Sequence, residues 1–261
     1  MRHIRLTLQY DGTDYSGWQV QDTRNSRLIT IQGILQEAIR RVTAEDTKVI
    51  GGSRTDAGVH ALAQVASFRS NTHLETETLK RALNANLPDD IRIMDVCEVD
   101  EGFHPRYSAK MKVYSYLISS SQPHSVFLRR YTWQIRYDLS AVLDAMREAS
   151  RYITGEHDFS SFRASGCGSK NPIRVIYDID ISDCPSLDFL TFKIDARLLK
   201  ITISANAFLR HMARNIVGTL YDIARGRFSP SYMKELLILK DRRYAGITAP
   251  PQGLFLERII Y

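Results

Sequence analysis

Apolar and polar positions alternate along residues 3–10 (HIRLTLQY), the period of a strand with one face buried. The pattern then changes period. Ile31, Ile34, Leu35, Ala38, Ile39 and Val42 recur at steps of three and four, which predicts an amphipathic helix, with Thr30 placed as its cap. Residues 48–50 read as a short strand running into a glycine-rich bend, and residues 63–68 continue extended. A second helix over about 75–84 and a strand over 91–99 complete a strand, helix, strand, strand, helix, strand order, the split pattern of a ferredoxin-like unit.

A second half starts with the aromatic alternation VYSYLIS after Lys112. The spacing predicts a helix over about 140–153 and strands at 173–181, 190–196 and 199–204. Helices follow at about 211–225 and 231–239, and a last strand at 254–260. The expected fold class is therefore α+β, with an N-terminal half over 1–108, a C-terminal half over 109–261 and a boundary near 103–110. The segment SDCPSLDFLTFKIDARLLKITISAN predicts a long hairpin or an extra turn.

Composition narrows the class without naming an activity. The chain has 261 residues, 44% hydrophobic and 25% charged, as in ordinary globular proteins. Lys and Arg number 35 against 29 Asp and Glu, and the resulting charge of +6 leans toward a polyanionic partner. Arginine forks suit phosphate, which strengthens that leaning. Cys97, Cys167 and Cys184 are odd in number and form no CxxC pair, so neither a disulfide framework nor a zinc site is expected. No apolar run is long enough to span a membrane, and the start MRHIRLTLQYDG carries no signal-peptide pattern, so a cytoplasmic location is expected.

Three stretches carry candidate chemistry. In GGSRTDAGVHA, glycines bend the backbone around Asp56, and Arg54 shares its side of an extended segment. A nearby cation favours an ionised, nucleophilic carboxylate. The same residues also suit a surface turn with an incidental ion pair, worth about 0–1 kcal/mol. In ANAFLRHMARNIVGTL, Met212, Ile216, Leu220 and Ile223 make a buried stripe. Arg210 and Arg214 lie four apart, which on one helix face costs a few tenths of a kcal/mol and calls for an anion, unless both point into water. Tyr114 and Tyr116 face one side of a strand, suited to base stacking or to a core. Tyr10, Tyr15 and Trp18 in YDGTDYSGWQVQ read as packing around a turn.

These stretches, with NANLPDDI, FHPRYSAKMKVYSYLI and DFSSFRASG, follow in the order of the tRNA pseudouridine synthase A (TruA) family, which the chain resembles from Tyr10 to its end. The resemblance implies two ferredoxin-like halves related by a pseudo-twofold, antiparallel sheets joined into one, helices on one face and a basic RNA-binding cleft. It implies a homodimer acting on the anticodon arm of tRNA, converting uridine to pseudouridine at positions 38 to 40, with no cofactor, no metal and no membrane. By the same resemblance Asp56 is the catalytic residue, aided by Arg54 and Arg214, while Tyr114 and Leu254 bind the substrate base; Arg210, read from its spacing, is also expected to bind substrate. An RNA-binding module without catalysis, the same chemistry on another RNA, and a hydrolase using Asp56 are the rival readings.

Overall fold

The computed structural model describes residues 1–23, 26–138, 143–189 and 192–261. The chain divides into two compact units: residues 1–110 with 255–261, and residues 111–254.

In the first unit, β1 (Arg2–Tyr10) is followed by a small ribbon of β2 (Asp22–Thr23) and β3 (Ser26–Arg27), then α1 (Ile31–Thr43). Next come β4 (Ile50–Gly51), β5 (His60–Ser70), α2 (Thr76–Asn86) and β6 (Ile91–Glu98). Strand β1 lies antiparallel between β5 and β6, and β4 adds antiparallel to the far side of β5. Apart from the small ribbon, the elements follow along the chain in the strand, helix, strand, strand, helix, strand succession expected from the sequence. Ile4, Leu6 and Leu8 are buried because a pleated strand sends alternate side chains to one face. Thr30 caps α1 as expected, its Oγ1 accepting from the Gly33 amide at 3.3 Å.

In the second unit, β7 (Met111–Ser119) pairs in parallel with the short β8 (Trp133–Gln134). Then come α3 (Leu143–Arg151), β9 (Gly155–Asp158), β10 (Ile173–Phe189), β11 (Phe192–Ala205), α4 (Met212–Ala224) and α5 (Tyr232–Leu239). Strand β11 runs antiparallel between β7 and β10, and β10 continues to β9. The helix expected from residue 140 is observed from Leu143; residues 139–142 lie outside the described residues.

The expected long hairpin is present as β10 and β11, but not as three separate strands. Each arm is continuous, and the break read near Ala196 is a register shift between Cys184 and Ser186, opposite Arg197 at φ 38°. Pro185 sits at that irregular step, where a missing backbone donor costs least. Leu190 and Thr191, the expected start of the next strand, lie outside the described residues.

The last strand, β12 (Leu254–Ile260), corrects the simple division into halves. Residues 255–261 belong to the first unit, where Phe255 and Leu256 pair in parallel with His60 and Ala61 of β5. A linear reading of hydrophobic period assigns a strand to its neighbours in sequence and carries no signal for such a return.

Candidate active site

Residues 52–59 form the loop that joins β4 to β5 and carries Asp56. Polar groups inside the fold hold it. The Gln64 side chain is fully buried; its Oε1 accepts from the amides of Ser53 (3.0 Å) and Val65 (3.2 Å), and its Nε2 donates to the Ser53 carbonyl at 2.7 Å. Thr55 is buried too, its hydroxyl 2.8 Å from the Tyr10 hydroxyl. Burial pushes the Tyr10 pKa up to about 12, opposed by its hydrogen bonds to Thr55 and Gln64, so this phenol stays neutral wherever the protein is assayed near neutrality. With Thr55 turned inward, its neighbours turn outward: Arg54 is exposed and Asp56 half-buried.

The segment 10–18, read from sequence as packing, is the wall behind this loop. The Trp18 amide donates to the Thr55 carbonyl (3.0 Å), and the Gly58 amide donates to the Tyr15 carbonyl (3.3 Å). Gly17 adopts φ +92°, and a side chain there would meet the Thr55 carbonyl at 2.7 Å, so only glycine permits the approach. His60 closes the loop, its Nδ1 3.1 Å from the Gly12 amide and its ring stacked on Phe255 at 4.7 Å. Inside the hairpin, the Val59 amide donates to the Asp56 carbonyl at 3.2 Å.

Gln64→Leu removes the group that satisfies both backbone atoms of Ser53. Losing these buried hydrogen bonds is expected to destabilise the protein by about 2–3 kcal/mol, read by urea denaturation. Stability within about 0.5 kcal/mol of wild type would show that Gln64 does not hold the loop.

In the second unit, Tyr114 and Tyr116 lie in β7 opposite Ile203 and Ile201. Tyr114 is buried and meets Phe208 edge-on, ring centroids 4.8 Å apart. Tyr116 donates to the Pro250 carbonyl at 2.7 Å, and burial raises its pKa, with Arg214 opposing. Arg214 projects from the first turn of α4, and its Nε donates to the Ala249 carbonyl at 2.7 Å. Leu254, buried, follows the 3-10 turn Pro251–Gly253.

Arg210 departs from the expectation. It precedes α4, and His211 between them adopts a left-handed φ of 62°, so Arg210 and Arg214 do not share a helix face. The positive φ ends the helical register that the four-residue spacing assumed.

Sequence reasoning also missed the polar face of α4. Asn215, Thr219 and Asp222 are all buried, at 0%, 0% and 1% exposure, and face the segment 242–249. Thr219 accepts from the Gly246 amide (3.1 Å) and Asp222 from the Ile247 amide (3.2 Å). Their three- and four-residue spacing beside the apolar stripe was the available signal.

Residues 7–108 and 149–261 match the tRNA pseudouridine synthase family. The chain belongs to that family. It is 44% identical to tRNA pseudouridine synthase A of Thermoanaerobacter sp. (strain X514) over 261 residues, the whole of both chains. It is 42% identical to the tRNA pseudouridine synthase A of Caldicellulosiruptor saccharolyticus and 41% identical to tRNA pseudouridine synthase A 2 of Clostridium perfringens, again over the full length of each chain. As a tRNA pseudouridine synthase the protein is an isomerase that converts uridine to pseudouridine. Among the described residues no group of three or more His, Cys, Asp or Glu side chains is arranged to hold a metal ion, and no helix is long and apolar enough to cross a membrane.

Proposed function

We propose that this tRNA pseudouridine synthase modifies uridines 38, 39 and 40 of the anticodon stem-loop, with Asp56 as its nucleophile and no cofactor. The N1–C1′ bond breaks, the uracil turns, and C5 joins C1′. The C5 hydrogen leaves to solvent and N1 takes up a proton, so the reaction is a balanced isomerisation with no redox or phosphoryl step. One ionised carboxylate suffices, attacking C1′ or C6 or removing a sugar proton. Arg54 and Arg214 aim that carboxylate. Tyr114 and Leu254 confine the detached base, and Arg210 contributes to substrate binding. The target nucleotide must first leave its stack, which costs a few kcal/mol and is offset by base stacking and phosphate contacts.

The observation that carries this reading is the full-length family match together with the RTDAGVHA loop. Supporting it, Ser53 and Thr55 ahead of Asp56 are tied to Gln64, Tyr10 and Trp18, and the Gly58 amide after it to the Tyr15 carbonyl, as the loop of an aimed nucleophile requires. The same resemblance extends the proposal to a cytoplasmic homodimer, a pseudo-twofold between the halves and a basic cleft for the anticodon arm.

Transcripts labelled with tritium at uridine C5 test it. Label is expected to be released when uridine occupies position 38, 39 or 40, and to be retained when all three are cytidine. Undiminished release from the cytidine transcript would reassign the target.

A further inference from the structure

Two adjacent arginines differ sharply in their surroundings. Arg243 is 84% exposed and forks onto the Asp241 carboxylate, its Nε 2.9 Å and its Nη2 2.6 Å from Oδ2. Arg242 is half-buried and meets only neutral acceptors. Its Nη2 donates to Asn215 Oδ1 (3.1 Å) and Thr248 Oγ1 (2.9 Å), and its Nη1 donates to the Ala245 carbonyl (3.2 Å). Among the described residues no carboxylate lies within ion-pair distance of it and no acceptor meets its Nε. The two nearby aspartates are engaged elsewhere: Asp241 with Arg243, and Asp222 with Arg227 and the Ile247 amide.

The clamp on Arg242 is rigid. Asn215 is fully buried, and its Nδ2 donates to the Phe162 carbonyl at 2.7 Å, which fixes the amide so that Oδ1 faces the guanidinium. Thr248 donates to the same Oδ1 at 2.7 Å. A planar cation is thus held in one orientation by dipoles, with part of its fork left over. Withdrawing a guanidinium from water without a counter-charge is unfavourable, and burial accordingly lowers its pKa. Such an arrangement is stabilised when an anion completes it, and a fork of fixed geometry matches phosphate oxygens.

We infer that Arg242 is a binding residue for a backbone phosphate of the tRNA, positioned by Asn215 and Thr248. The inference rests on the family's tRNA substrate and adds a contact outside the residues assigned above. Asn215 follows Arg214 in α4, so one turn of helix orients both arginines: Arg214 through Ala249, and Arg242 through its own side chain.

The test is the salt dependence of tRNA binding, measured by filter binding with unmodified transcript for wild type, Arg242→Gln and Arg243→Gln. Removing one phosphate contact lowers the slope of log affinity against log salt by about one. Arg242→Gln is expected to show that change and to weaken binding about tenfold at low salt. Arg243→Gln, already neutralised in place, is expected to stay within about twofold of wild type. A wild-type slope for Arg242→Gln, or equal losses in both variants, overturns the assignment. Should Arg242→Gln fail to fold, the Nε–H NMR signal of Arg242 in the wild-type protein, assigned with Arg242→Lys, carries the test: it shifts when tRNA is added, and an unmoved signal overturns the inference. Tritium release reports the reaction and the slope reports this contact, so the two readings fail separately.

Discussion

Asp56→Asn is expected to lower tritium release by about four orders of magnitude or more, the scale seen when a reacting group is removed. The substitution is nearly isosteric, and the features that hold the loop are elsewhere. Thr55 is anchored on Tyr10, Ser53 on Gln64, and the Asp56 carbonyl, which accepts from Val59, is unchanged. Thermal unfolding is therefore expected to match wild type within a few degrees, which separates lost chemistry from lost fold. The amide cannot attack as a nucleophile or act as a base, so no route through Asp56 survives. A variant retaining a tenth of the wild-type rate would remove Asp56 from the reaction.

Gly218→Ala is expected to destabilise the protein by about 3 kcal/mol, the upper end for overpacking. In an ordinary helix interior the same change stabilises by about 1 kcal/mol, so the sign itself is diagnostic. Helix α4 is buried on nearly every side, and a methyl at Gly218 would overlap the Ile247 carbonyl. The neighbour cannot yield easily. Gly246, on the opposing segment, already approaches so closely that its own added Cβ would lie 2.7 Å from the Thr219 Cα. Paired glycines bring helix and segment into backbone contact, which Asn215, Thr219 and Asp222 then stitch together. Denaturant unfolding measures the effect, and a stability equal to or above wild type would show that the segment moves freely.

Local period made most of the first unit legible. Alternation in residues 3–10 and the three-four spacing of Ile31 to Val42 gave β1 and α1 with the Thr30 cap, because each element buries one face. Asp56 was legible as a carboxylate in a glycine bend, but the residues that hold its loop were not. Gln64 stands among apolar neighbours in AQVASF, and its partner Ser53 is known only once β4 and β5 are paired. The helix face expected to be shared by Arg210 and Arg214 is absent because His211 is left-handed, which spacing alone cannot report. Buried polar groups on α4 escaped for the same reason as Gln64: their partners come from a segment far along the chain.

The return of residues 255–261 to the first unit bears on synthesis. A ribosome releases residues 1–110 early, yet the strand that pairs with His60 and Ala61 emerges only after the whole of residues 111–254. Closing so long a loop is slow compared with local pairing. His60, which closes the loop of Asp56, therefore waits for Phe255 until the second unit has been made. A stop codon in place of Phe255 would leave Arg54, Asp56, Tyr114, Arg210, Arg214 and Leu254 encoded and the first unit unfinished.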